Sequence, residues 1–185
     1  MTTSLTALWH AEHVNLARLL DLLEKQVAAF HVGEQPNYDL MHDVVYYLRH
    51  YPDEIHHPQE SVAFARLLER DPTMKSQIDR LMQEHRVLAA AGETLLAHLD
   101  AVVADALEPR STVEAAAATY LAYYRQHLAA EEKEVIPRAA ELLTPQDWAA
   151  VAAAVPAGPD PLFGEDVEAR FRKLRRQIAL EAQRA

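Results

Sequence analysis

His13, His85 and two His-x-x-x-Glu pairs, His56 with Glu60 and His127 with Glu131, are the residues of this chain whose types and spacing can do chemistry. Residues four apart lie on one face of a helix, so the imidazole and carboxylate of each pair can reach a common point. A single histidine precedes each pair, and the arrangement repeats: His13 then His56 and Glu60, His85 then His127 and Glu131. Two such half-sites facing each other offer four imidazoles and two carboxylates. That donor set holds two octahedral cations if solvent or small molecules complete the shells, and the carboxylates are natural bridges. Imidazole with carboxylate suits non-haem iron and also admits manganese or zinc. The chain has no cysteine, which excludes disulfides, thiolate catalysis and iron–sulfur clusters and leaves nitrogen and oxygen as metal ligands.

Helices must position these groups. The chain has only four glycines, and no stretch alternates polar and apolar residues as a half-buried strand would. Trp9, His13, Leu16, Leu20, Leu23, Val27 and Phe30 recur at steps of four and three, which predicts a helix from about Ser4 to Phe30 with His13 in its apolar seam. After a turn containing Gly33 and Pro36, a second helix carries Met41, Val45 and Leu48; Pro52 and Pro58 require it to kink or restart between Tyr51 and Gln59. Asp71-Pro72 suits an N-cap and first helical position for a third helix, whose seam is Ile78, Leu81, His85, Leu88, Gly92, Leu95 and Leu99. A fourth begins after Pro109, where Ser111 and Glu114 have capping-box spacing, and runs through Tyr120, Tyr124, His127 and Glu131 toward Leu143. The expected architecture is all-α: an up-down four-helix bundle over residues 1–154, with additional C-terminal helices over 155–185. Thr144-Pro145-Gln146-Asp147 starts a short helix, and Pro156 to Gly164 reads as a linker. From Glu165 to Gln183 an amphipathic helix is expected as an accessory to the site; its stripe of Val167, Phe171, Leu174 and Ile178 could dock on the bundle, a partner or an anionic surface, the bundle being the cheaper reading.

Glu12-His13, Tyr51-Pro52-Asp53, His56-His57-Pro58-Gln59-Glu60, Glu84-His85 and the run from His127 to Pro137 together resemble the hemerythrin-like family of His-His-Glu cation-binding domains, over about Leu5 to Ala154. The resemblance implies a di-iron centre ligated by His13, His56, Glu60, His85, His127 and Glu131, with Glu60 and Glu131 bridging. Oxygen-carrying members have a further histidine one turn before the third-helix ligand; here that position is Leu81, which argues against five-histidine oxygen carriage. The second helix admits three registers, since His50 with Glu54 has the same spacing and His57 lies three residues before Glu60. Glu60 precedes Phe64 as Glu131 precedes Val135, which favours His56. His57 stays open as an alternative ligand or a residue behind the ligands.

Plainer readings compete. A lone histidine in an apolar stripe is ordinarily a satisfied core residue, and a lone His-x-x-x-Glu pair a solvated helix face; recurrence in register is what argues for a site. Glu132 and Glu134 read as surface charge, and His10, His31, His42 and His98 are left without a role. Tyrosines precede both pairs, Tyr46, Tyr47 and Tyr51 before His56 and Tyr120, Tyr123 and Tyr124 before His127. Most read as core aromatics, though a hydroxyl there can hydrogen-bond a ligand at the metals.

With 18 basic against 28 acidic residues, the net charge of −10 disfavours nucleic acid as a partner. No apolar run reaches membrane-spanning length and no basic flank precedes an apolar stretch near the start, so a cytoplasmic protein is expected. The leading expectation is a protein that binds or senses a small oxidant (O2, NO or peroxide) or serves iron homeostasis, with that diatomic or peroxide as its small-molecule partner. Its redox partner is unidentified, and a homodimer is compatible with the chain. The alternatives are a di-iron oxidoreductase for peroxide or NO detoxification or metal-centre repair, and a structural bundle without metal.

Overall fold

The computed structural model describes residues 5–155 and 159–182, and within them the chain is helical without strands. Helices α1 (Leu5–His31), α2 (Tyr38–Tyr51), α3 (His57–Arg70), α4 (Lys75–Val103), α5 (Arg110–Ala130) and α6 (Ile136–Leu142) make four rods. They are four because α2 runs into α3, and α5 into α6, through single π-helical turns at Pro52–His56 and Glu131–Val135. The rod of α1 packs on α2 and α5, and α4 packs on the same two, which closes the expected up-down bundle. Ser4, the expected helix start, lies outside the described residues. The seam of α1 is buried from Trp9 to Phe30 and that of α4 from Ile78 to Leu99, as the four-three rhythm requires.

The π turns have a covalent origin. Pro58 and Pro137 each occupy the second position of a restarting helix, and neither has an N–H to return to the carbonyl four residues back. The preceding amides reach five back instead, His57 N–H to Pro52 O and Ile136 N–H to Glu131 O. The expected kink between Tyr51 and Gln59 is therefore a widened turn without a break. Its counterpart in the fourth rod was not foreseen, although Pro137 signals it.

Two expected caps differ. Asp71 accepts a hydrogen bond from Thr73 N and opens a short 3-10 turn, Pro72–Met74, rather than capping α4 directly. The Ser111–Glu114 capping box does not form; α5 starts at Arg110 with no side-chain cap, and Glu114 Oε1 sits 3.2 Å from His31 Nδ1. The capping box of Thr144 with Asp147 does form and starts α7 (Pro145–Ala153).

The last helix is shorter than the sequence pattern suggests: α8 spans Arg172–Ala182 after a 3-10 turn at Ala169–Phe171, and Gln183 lies outside the described residues. In the loop before it, Asp160 Oδ1 accepts from the amides of Leu162 and Phe163, both at 2.8 Å, and fixes a turn. Leu162, Phe171 and Leu174 then enter the same apolar cluster as Leu16, Tyr47, Leu88 and Tyr124. A second cluster holds Trp9, Phe64, Leu81 and Val135. Along α1, His13 falls between Trp9 and Leu16; along α4, His85 falls between Leu81 and Leu88. The two apolar clusters thus bracket one polar layer.

Candidate metal centre

All six residues singled out in the sequence meet in that layer. His13 Nε2 and His56 Nε2 are 2.9 Å apart, and His56 Nε2 is 3.0 Å from Glu60 Oε1. On the other side His127 Nε2 is 3.1 Å and His85 Nε2 3.4 Å from Glu131 Oε1, while His85 Nε2 lies 3.5 Å from Glu60 Oε2. Glu60, Glu131 and His127 have no exposed surface. The donor atoms form two groups, each within 4.8 Å: His13, His56, Glu60 and Glu131, and His57, Glu60, His85 and His127.

His57 joins the layer beside His56 without displacing it. Its ring lies parallel on that of His85, centroids 4.2 Å apart, on the opposite side from His13. Successive residues at the end of a π turn thus address the two groups separately. His50 and Glu54, the third register, do not enter: His50 Nδ1 bonds Tyr46 O at 2.7 Å and Glu54 is exposed. His10, His31, His42 and His98 also stay outside, each beside a carboxylate, Glu132, Glu114, Asp100 and Glu108 in turn.

Behind the layer stand carboxylates to which the sequence assigned no role. Glu132 accepts from His13 Nδ1 at 2.8 Å, Glu12 from His56 Nδ1 at 2.7 Å, Asp53 from His57 Nδ1 at 2.9 Å and Glu84 from His127 Nδ1 at 3.2 Å. A carboxylate can only accept, so each Nδ1 carries a hydrogen, and in the neutral ring Nε2 then turns a lone pair inward. Glu12 precedes His13 yet holds His56, and Glu84 precedes His85 yet holds His127. The repeated Glu-His dipeptide was the available signal. Glu132 is not surface charge as expected: it lies beside Glu131 in the π turn and bonds His13 and, at 3.0 Å, His10. Asp53 is itself steadied by an ion pair with Arg49, whose stem crosses α4 at Gly92; a Cβ there would stand 2.3 Å from Arg49 Cδ.

Inward lone pairs this close repel unless positive charge lies among them. Both oxygens of Glu60, Glu131 Oε2 and His127 Nε2 are buried without a hydrogen-bond partner, an arrangement native interiors rarely leave unanswered. Adjacent ligands of an octahedral ion at about 2.1 Å are separated by about 3 Å, and the His13–His56 and His56–Glu60 spacings of 2.9 and 3.0 Å suit such an ion. With protons alone, the layer captures them. Burial opposes charge on His56, but Glu60 and the bond to Glu12 raise its pKa well above the ordinary value. Burial likewise opposes charge on His127, and Glu131 overrides it, lifting the pKa to about 10. Glu131, despite burial and the nearby Glu60, is drawn down to about 2 by His127, and Glu60, despite burial, is held well below the carboxylate range by His56. His57 goes the other way, lowered by burial and by the adjacent His85, and stays neutral.

A helical bundle whose interior gathers imidazoles and carboxylates in this way is a cation-binding protein. Residues 4–139 match the Hemerythrin HHE cation binding domain, and the chain belongs to that family. Comparisons with curated proteins and with solved structures give no match. Among the described residues no helix is long and apolar enough to cross a membrane.

Proposed function

We propose that this chain is a non-haem di-iron protein that binds or senses a small oxidant, O2, NO or peroxide. His13 and His56 would hold one iron, His57, His85 and His127 the other, with Glu60 and Glu131 shared between them. One observation carries the reading: seven buried or nearly buried side chains turn donor atoms toward one layer, and Glu60 and His127 have inward atoms that make no hydrogen bond within the protein. The donor set alone admits manganese or zinc; family membership and the oxidant chemistry favour iron. A pair of irons, when bound, supplies affinity for a small oxidant and exchange of electrons with it. The chain's own residues do the rest. Glu12, Glu132, Asp53 and Glu84 fix the ring orientations, and the apolar clusters on either side keep bulk water from the carboxylates. With two imidazoles on one side against three on the other, the side of His13 and His56 would be the one that admits a small molecule. On this reading His57 would supply a fifth imidazole in spite of Leu81. The cytoplasm is the expected compartment on composition.

The test is metal content per chain with an absorption spectrum, recorded reduced and after exposure to air. About two irons per chain with an oxo-bridge band after oxidation are expected. No bound metal after anaerobic Fe(II) loading returns the chain to a structural bundle. A redox-enzyme reading has one observation in its favour: half-buried Trp148 meets Trp9 edge-on at 5.7 Å, and Trp9 meets His56 at 6.1 Å, a line of rings from the surface to the layer. Steady-state consumption of peroxide or NO with a reductant separates the two readings.

A further inference from the structure

Tyr124 lies three residues before His127 on α5, one turn from the polar layer, and its side chain is 1% exposed. Among the described residues its hydroxyl is the one buried hydroxyl without a hydrogen-bond partner. The neighbouring phenols differ: Tyr47 donates to Asp160 at 3.0 Å and Tyr51 to Glu12 at 3.3 Å. Tyr120 packs edge-on against the Tyr124 ring, centroids 5.5 Å apart. Burial first, then Tyr120 and the carboxylates Glu131 and Glu60, disfavour ionisation of Tyr124, so the phenol keeps its proton and lies within electrostatic reach of the shared carboxylates. Phenylalanine would fill the same space without an unsatisfied donor, which otherwise costs stability. The hydroxyl therefore serves a partner that the chain does not contain.

We propose that Tyr124 is a ligand-recognition residue: its hydroxyl donates a hydrogen bond to the small molecule or anion that enters the metal layer. The inference rests on the di-iron reading. It selects, among ligands small enough to enter, those with an oxygen or nitrogen acceptor such as peroxide, nitric oxide or azide, because a ligand without an acceptor leaves the donor unpaired.

The experiment compares wild type, Tyr124→Phe and Tyr120→Phe. It measures iron per chain, the melting temperature of the metal-free protein, the azide affinity of the oxidised iron-loaded protein, and the infrared stretch of bound azide in H2O and D2O. Tyr124→Phe is expected to keep its iron and to melt, metal-free, at the wild-type temperature or above. Its azide affinity should fall about tenfold or more, the weight of a hydrogen bond to a charged acceptor, and the D2O shift of the azide stretch should disappear; Tyr120→Phe should leave affinity and shift unchanged. Equal affinity and an unchanged D2O shift in Tyr124→Phe overturn the proposal while leaving the di-iron reading intact. A lower metal-free melting temperature overturns it too, since the hydroxyl then serves the fold through a structural water. Wild-type protein that takes up no iron removes both.

Discussion

Glu12→Ala separates an oriented metal ligand from a packed histidine. Glu12 Oε2 accepts from His56 Nδ1 at 2.7 Å, and its other oxygen accepts from Tyr51. Removing it frees the His56 ring to rotate or change tautomer, but leaves the imidazole itself in place. Loss of such an outer carboxylate weakens metal affinity about 10–100-fold. Through mass action that subtracts about 1.4–2.7 kcal/mol from the stability that metal adds, or about 3–11 °C from the metal-induced rise in melting temperature for a chain of this size. The difference between loaded and metal-free melting temperatures is the quantity to compare, because Glu12 also pairs with protonated His56 when metal is absent. Competitive titration against a chelator gives the affinity directly. Glu24→Ala, which removes an exposed partner of Arg125, is the control and should change neither. If Glu12→Ala binds metal as tightly as wild type, the orienting role assigned to the outer carboxylates is wrong.

Loading the metal-free protein at pH 7 should release protons from His56, His127 and His85, whose pKa values are all raised; a pH indicator in weak buffer detects them, and no release contradicts the protonated layer. The His127 pKa of about 10, against an ordinary 6.5, gives the metal-free protein stability that is complete below about 6.5 and lost as pH rises through about 10, so its melting temperature should fall over that alkaline range. Leu174→Ala, at a fully buried position in α8, should cost about 2–5 kcal/mol in thermal unfolding of the whole protein; an unchanged melt would mean that α8 is not part of the core. Gly92→Ala sets about 1 kcal/mol of helix propensity against about 1–3 kcal/mol of overpacking where the Cβ meets Arg49 and, at 3.0 Å, Tyr120; net destabilisation is expected, and a stabilised variant would show that Arg49 is free to move.

The sequence by itself was enough for the helices, their seams and the four-residue pairs, because the periodicity of a helix is local: His56 and Glu60 share a face wherever the helix goes. It also carried the pseudo-repeat, since both halves use the same order of residues. Proline chemistry is local too, and Pro137 held the same information as Pro58. Tertiary structure alone decided which carboxylate stands behind which imidazole, because Glu12 and His56, or Glu132 and His13, meet across helices and share no spacing rule. The same holds for Asp160, which accepts a hydrogen bond from Tyr47 across the molecule. His56 and His57 both enter the layer for a related reason: a π turn changes the angle between successive side chains, and two rods face them, α1 with His13 and α4 with His85. Each histidine meets its own neighbour, and only the packing of those rods around the turn determines which.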